Sequence, residues 1–321
     1  MAIEQTLRDQ YDNRILKPLI FDIKRYAIND GPGIRTTLFL KGCPLRCVWC
    51  HNPEGWTVQP QILYKKTKCI GCQTCVDTCP QGALELTPDG IVRGQGCVVC
   101  GRCAEECPTT ALEVCGREWT LEALMAEVEK ERTIMEDSGG GVTLCGGEPL
   151  MHPDYTLALL NELGRRGFHR TVDTTLYASP DVVRAVAEAC ELFLVDLKLM
   201  DAQKHLLYTG VGNERILRNI RLLAESRHPF RIRIPLIEGI NADEENIIQT
   251  AAFLKELPHW TDTGGSLVHL LPYHDMGKDK HRRMWSTYNP QGYPMAAPSE
   301  ATLQRCTALF EAHGLHVVVG G

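Results

Sequence analysis

No stretch of this chain approaches 18 consecutive apolar residues, so a membrane-spanning helix is not expected. Residues 1–13 are polar, carry both charge signs and lack an apolar h-region, which argues against a secretory signal. Neither charge sign is in large excess. Thirty-four Lys and Arg stand against 40 Asp and Glu, a net charge of −6 that gives a nucleic-acid partner no footing. The basic run from Lys278 to Arg283 is short, is interrupted by Asp279, and reads as a solvated loop. Cysteine, by contrast, is abundant, with fifteen in 321 residues. Without a secretory signal, so many thiols point to metal ligation in a reducing, cytoplasmic setting rather than to disulfides. The length and a 44% hydrophobic, 23% charged composition suit one large α/β domain with a small insert.

Three cysteines fall in the run Gly42-Cys43-Pro44-Leu45-Arg46-Cys47-Val48-Trp49-Cys50-His51-Asn52-Pro53, with the spacing C-x3-C-x2-C. Three thiolates hold a [4Fe–4S] cube at three irons and leave the fourth iron open to a substrate or cofactor. This spacing, with Trp49 before the last cysteine, resembles the signature of radical S-adenosylmethionine (SAM) enzymes. Asp30-Gly31-Pro32-Gly33-Ile34-Arg35-Thr36, Phe39-Leu40-Lys41-Gly42-Cys43-Pro44 and Cys50-His51-Asn52-Pro53-Glu54 are similar to runs in one branch, the activating enzymes of glycyl radical enzymes. The likeness extends from about Ile20 to Gly321.

Residues 60–116 read as a separate unit with an internal repeat of period 28. Cys69, Cys72, Cys75 and Cys79 form the first copy; Cys97, Cys100, Cys103 and Cys107 form the second; both read C-x2-C-x2-C-x3-C-P. This resembles the bacterial two-cluster ferredoxins, where the fourth cysteine of each run ligates the other run's cluster. One [4Fe–4S] cluster is thus expected on Cys69, Cys72, Cys75 and Cys107, the other on Cys97, Cys100, Cys103 and Cys79. A unit this small has little core of its own, so the clusters are expected to supply much of its folding energy.

After the insert, helical and strand patterns alternate. Thr120 is an N-cap candidate, and Leu121, Leu124, Met125 and Val128 fall on one helix face. Strands are expected at 36–40, 142–145, 169–174, 192–198, 230–237, 267–271 and 316–319, after a short first strand at 19–23. Helices are expected at 155–163, from Ser179-Pro180 to Cys190, and at 214–225, 243–257 and 298–314. Such alternation makes parallel βα units, about six of them. The family resemblance implies a partial, splayed (β/α)6 TIM-like barrel carrying the ferredoxin-like insert. The expected divisions are 1–59 (N-terminal arm and start of the barrel with its cysteine loop), 60–116 (insert) and 117–321 (rest of the barrel).

Further residues stand at strand ends. Gly146-Gly147-Glu148-Pro149 follows a strand; its glycines let backbone approach a ligand closely, and Glu148 adds a carboxylate. Asp196 and Lys198, two apart, share one strand face; the alternative to a shared pocket is an ion pair closing the barrel. Arg233 lies inside a strand, where an unpaired charge is costly, so it faces either a cofactor carboxylate or a structural partner. By the resemblance, Gly146, Gly147 and Glu148 hold the methionine amino group of SAM. Asp173, Asp196, Lys198 and Arg233 lie around the rest of the cofactor, His274 of Leu-Pro-Tyr-His lies by the adenosyl portion, and Trp49 and His51 flank it without ligating iron. Asp30 to Arg35 is expected at the pocket mouth. Cys115, Cys145, Cys190 and Cys306 carry no assigned role.

The resemblance implies reductive cleavage of SAM at the cluster of Cys43, Cys47 and Cys50. The resulting 5′-deoxyadenosyl radical takes a hydrogen atom from a backbone glycine of a partner glycyl radical enzyme. Flavodoxin or ferredoxin is the implied electron donor; the two insert clusters relay electrons or dock the partner. Activases of pyruvate formate-lyase generally lack the insert, which directs the partner toward C–X lyases (isethionate sulfite-lyase, choline lyase, diol dehydratase) first and benzylsuccinate-type synthases second. A radical SAM enzyme acting directly on a peptide or small molecule, and a non-catalytic iron–sulfur electron carrier, are the competing readings.

Overall fold

The computed structural model describes residues 18–258 and 267–320. The polar arm read over residues 1–18 lies outside them save for Pro18. Twelve strands are present among the described residues: β1 (Ile20–Ala27), β2 (Arg35–Leu40), β3 (Gln61–Tyr64), β4 (Leu84–Thr87), β5 (Gly90–Arg93), β6 (Leu112–Cys115), β7 (Gly141–Gly146), β8 (His169–Thr174), β9 (Leu192–Asp196), β10 (Phe230–Leu236), β11 (Leu267–Pro272) and β12 (His316–Val319). Eight of them make one sheet in the order β1-β2-β7-β8-β9-β10-β11-β12. From β2 to β12 every neighbouring pair is parallel, and β1 is antiparallel to β2. The seven parallel strands correspond to the six βα units and the closing strand, β12, expected from the sequence pattern.

The helices pack on one face of this sheet. Leu159, Leu160 and Leu163 of helix Pro153–Arg165, Val183 and Val186 of Pro180–Ala189, and Ile216, Ile220 and Leu223 of Glu214–Glu225 are fully buried with the sheet's apolar side chains. The caps are those the sequence signals: Thr120 Oγ1 accepts from Ala123 N at 3.1 Å, and Ser179 Oγ accepts from Val182 N. Alternation along β10 shows the two faces. Phe230, Ile232, Ile234 and Leu236 are buried beneath the helices, whereas Arg231, Arg233 and Pro235 are half-buried on the opposite face. That second face carries the polar groups.

Residues 61–115 form two small antiparallel sheets, β3 with β6 and β4 with β5. The 28-residue repeat is written into the backbone. Positive φ occurs at Gly71 and Val99, at Gln73 and Gly101, and at Gly82 and Thr110, each pair 28 apart. Ala83 N donates to Cys79 Sγ at 3.3 Å, and Ala111 N donates to Cys107 Sγ at 3.2 Å.

Among the elements that differ from the sequence expectation are a helix broken in two, Leu121–Glu129 and Arg132–Asp137, and two further helices. Residues 202–209 form a helix, capped by Asp201, whose side chain accepts from Lys204 N, and ended by left-handed Gly210. The run Lys278–Arg283 is a helix (Gly277–Arg283), not a solvated loop. His281 is buried, Lys280 Nζ donates to Asn52 Oδ1 at 2.7 Å and lies 3.3 Å from Glu54 Oε1, and Arg283 pairs with Glu113. Its charges hold the insert and the cysteine loop together, which composition alone does not reveal.

Candidate active site

The cysteine loop leaves the C-terminal end of β2, the end where loops of parallel βα folds build sites. It is braced from behind. Arg46 N and Val48 N donate to Thr209 O (2.7 Å) and Tyr208 O (3.0 Å) at the end of helix Ala202–Thr209. Leu45 and Trp49 pack with Leu199, Ile237, Ile240 and Tyr273. Thus Cys43, Cys47 and Cys50 come to one wall of a cavity of about 440 Å³, together with Trp49 and His51.

The glycines at the end of β7 close the loop from the other side. Gly147 N donates to Leu40 O and Glu148 N to Gly42 O, both at 2.7 Å, while Gly42 N donates to Gly55 O at 2.8 Å. A Cβ on Gly147 would lie 2.1 Å from Gly42 O, and one on Gly146, at φ +114°, would lie 2.4 Å from Leu40 N. The close approach that requires glycine here is between two strand-end loops; both glycines also line the cavity.

Glu148 sits behind the wall. Its side chain is fully buried, and Oε1 accepts from Leu150 N (3.0 Å) and Thr174 Oγ1 (2.6 Å). Its Oε2 accepts from Thr175 N (2.8 Å) and Thr175 Oγ1 (2.6 Å). Burial raises its pKa against these four donors. Expected by resemblance to help hold the methionine amino group, Glu148 ties the loop after β7 to the loop after β8 and is not among the residues lining the cavity.

The opposite wall is ionic. Asp173 on β8 and Arg233 on β10 meet across β9, Arg233 Nη1 lying 3.0 Å from Asp173 Oδ2; Lys198 Nζ lies 2.9 Å from Asp196 Oδ2. All four line the cavity. Burial opposes the charge on Arg233, but Asp173 and Asp196 hold its pKa above the ordinary range; Lys198 is likewise raised, burial being outweighed by Asp196 and Cys47. Burial, against the pull of Arg233, lifts Asp173 to about 6. The two readings of Arg233 thus meet: it has a structural carboxylate partner and it faces the cavity.

Linkage gives this wall a testable pH dependence. A carboxyl whose folded pKa is raised contributes stability that is full below about 4 and is lost as pH rises through its folded value, near 6 here. Arg233→Met removes the cation and lifts Asp173 further. The variant is expected to lose about 3 kcal/mol at pH 8 and clearly less at pH 5, read from thermal melts at both values. An equal loss at the two pH values would show that Asp173 is not charged beside Arg233.

Several wall residues carried no assignment from sequence. Cys145 Sγ donates to Asp173 Oδ2 at 3.1 Å; Tyr273 and Asn29 also line the cavity. His274 is exposed and stacks on His51, with centroids 4.0 Å apart and an interplanar angle of 17°; His51 Nε2 lies 3.0 Å from His274 O. Burial and then His274 pull the His51 pKa down to about 4, leaving a neutral ring beside the cysteines at pH 7. The Asp30–Arg35 run is not at the cysteine end of the cavity. Arg35 is fully buried at the start of β2, donating to Val142 O (2.8 Å), Pro32 O (2.9 Å) and Thr143 Oγ1 (2.7 Å). Asp30 Oδ2 accepts from Thr37 Oγ1 at 2.7 Å. Of this region, Asn29 reaches the cavity.

The insert cysteines gather crosswise. Cys69, Cys72, Cys75 and Cys107 line one pocket; Cys79, Cys97, Cys100 and Cys103 line another. Among the described residues, no three His, Cys, Asp or Glu side chains converge on one point as a mononuclear metal ion requires. A cubane takes each thiolate on a different iron, so three or four thiols around a shared pocket fit it. In the main cavity burial raises all three thiols, Cys50 to about 12. A cationic iron centre reverses that preference and holds them as thiolates.

The radical SAM superfamily profile matches residues 37–251. The chain is 41% identical over 310 residues to the trans-4-hydroxy-L-proline dehydratase activating enzyme of Clostridioides difficile, covering 95% of this chain and 100% of that one. It is 40% identical over 307 residues to the choline trimethylamine-lyase activating enzyme of Oleidesulfovibrio alaskensis, covering 94% and 98%. It is 35% identical over 305 residues to the pyruvate formate-lyase 2-activating enzyme of Escherichia coli, covering 94% and 92%. The chain belongs to the radical SAM superfamily, among the activating enzymes of glycyl radical enzymes. Its family chemistry uses a [4Fe–4S] cluster and SAM. Among the described residues, no helix is long and apolar enough to cross a membrane.

Proposed function

We propose that this chain activates a glycyl radical enzyme of the C–X lyase or dehydratase kind, with benzylsuccinate-type synthases as the second choice. The observation that carries the site reading is the single cavity shared by Cys43, Cys47, Cys50, the glycine loop and the two ion pairs. Cys43, Cys47 and Cys50 would hold the [4Fe–4S] cluster, which supplies one electron to SAM when bound. Gly146 and Gly147 present backbone to the methionine amino group. Lys198 and Arg233 supply the cations that a cofactor carboxylate needs, Asp173 and Asp196 keep those cations in place, and His51, Trp49 and His274 flank the adenosyl portion. The open, largely parallel sheet is read as a partial (β/α)6-type barrel whose polar inner face encloses the cofactor.

Residues 60–116 are read as a ferredoxin-like domain with two further [4Fe–4S] clusters on the crosswise cysteine sets, supported by the 28-residue backbone repeat and by the two pockets. Flavodoxin or ferredoxin is the expected donor. The names of the dehydratase and choline-lyase relatives favour partners of the same kind.

The test is anaerobic. The protein, reconstituted with iron and sulfide and reduced, is mixed with SAM and a candidate glycyl radical enzyme. The expected result is a glycyl doublet in the electron paramagnetic resonance spectrum, with about one 5′-deoxyadenosine per radical. Deoxyadenosine without a doublet for any candidate would move the reading to a direct peptide or small-molecule substrate. No deoxyadenosine from the fully loaded protein would leave an electron carrier.

A further inference from the structure

The stretch after β11 touches both the cavity and the insert. At the insert end, Trp285 lies parallel to Tyr64, with ring centroids 5.7 Å apart and an interplanar angle of 5°, and its indole N–H donates to Ile91 O at 2.8 Å. Tyr64 and Ile91 both line the pocket of Cys69, Cys72, Cys75 and Cys107. At the cavity end, the hydroxyls of Tyr288 and Tyr273 meet at 2.6 Å, and Tyr273 lines the cavity beside His51. His281 joins the two ends. Its ring stands edge-on to Trp56 at 5.3 Å and to Tyr288 at 5.4 Å, and its Nδ1 lies 2.9 Å from the hydroxyl of Ser286, the neighbour of Trp285. Trp56 also lines the cavity.

Ring contacts, hydrogen bonds and one peptide link thus run without a gap from one insert pocket to the cavity. The pocket of Cys79, Cys97, Cys100 and Cys103 includes neither Tyr64 nor Ile91, so no group that touches Trp285 in this way lines it. The two sets, alike in sequence, are therefore unlike in placement. Close-packed, polarizable groups couple two redox centres better than a solvent gap does.

We infer that residues 281–288 are a bridge for single-electron transfer between the insert and the cavity. The Cys69, Cys72, Cys75 and Cys107 set is the inner station, and the Cys79, Cys97, Cys100 and Cys103 set is the outer one. A low-potential one-electron donor protein is oxidised at the outer set; the electron leaves the inner set across the bridge and is consumed in breaking the C–S bond of SAM. This rests on the proposed reading of both sets as cluster ligands.

Trp285→Ala, with Trp285→Phe to keep a ring on Tyr64, tests it. Reduced ferredoxin is mixed with each loaded protein, and freeze-quenched paramagnetic resonance spectra follow the insert signals and the cavity signal, the latter identified by its change on adding SAM. In Trp285→Ala the insert signals are expected at the unaltered rate and the cavity signal at least about tenfold slower; Trp285→Phe stays within about threefold. Titanium(III) citrate, which reaches the cavity directly, is expected to give deoxyadenosine within about twofold of the unaltered rate in both variants. A cavity signal as fast in Trp285→Ala as in the unaltered protein overturns the bridge, as does an equal fall with both reductants. Unaltered protein holding only about four irons, with no insert signal, overturns the two-cluster reading instead.

Discussion

Cys47→Ala is expected to reduce 5′-deoxyadenosine formation at least about a thousandfold and, on the proposed three-cluster reading, to lower the iron content from about twelve to about eight per chain. The size follows from what the loop does. Cys47 is buried between the brace of helix Ala202–Thr209 and the cavity, and no fourth thiol of the loop stands ready to replace it. Cys145 faces the same cavity, but its thiol already donates to Asp173. Cys145→Ala is therefore the control and should keep its full iron content. Twelve irons in Cys47→Ala, or eight in Cys145→Ala, would place the cluster on a different set of thiols.

The second large effect concerns Glu148. Replacing it with Ala strands four buried donors, from Leu150, Thr174 and Thr175. Each stranded donor costs about 1 kcal/mol or more, so about 4 kcal/mol of stability should go. In a chain of this size that is a fall of about 8 °C in the melting midpoint. Glu148→Gln keeps part of the acceptor set and should fall between the two. A midpoint within about 2 °C of the parent, with SAM affinity lost, would return Glu148 to direct cofactor contact.

The distinction matters because the motif Gly-Gly-Glu-Pro invites one function for all its residues. The sequence predicts a strand, a tight turn and a carboxylate there, and all three are present. It does not predict which way the carboxylate points. That depends on Thr174 and Thr175, 26 and 27 residues later, arriving from the next strand with their hydroxyls and one N–H turned toward it. The Asp30–Arg35 run shows the same limit. Its turn is legible, but Arg35 is drawn to the carbonyls of Val142 and His169 by the pairing of β2 with β7 and of β7 with β8, away from the cysteine end.

Local chemistry was legible where the determinant is local. Cysteine spacing within one loop, a repeat of period 28, N-caps such as Thr120 and Ser179, and the 3.6- and 2-residue periodicities all act over a few residues. They lead to the helices, the strands, the thiol sets and the family likeness. Helix Ala202–Thr209 was within reach, with Asp201 as its cap and Gly210 as its stop. The basic helix Gly277–Arg283 was not, because Lys280 and Arg283 owe their order to Asn52, Glu54 and Glu113, which lie far away in the chain.

The sequence by itself determined which cysteines fall together in which spaced runs, and that the chain alternates strand and helix around them. Only the tertiary structure decided that Arg233 reaches Asp173 across β9, that Glu148 braces rather than faces the cavity, and that one insert cysteine set is joined to the cavity through Trp285. Spacing along the chain fixes what a loop can hold. Which groups then meet depends on strand order and register, because those set the distances between residues the chain itself keeps apart.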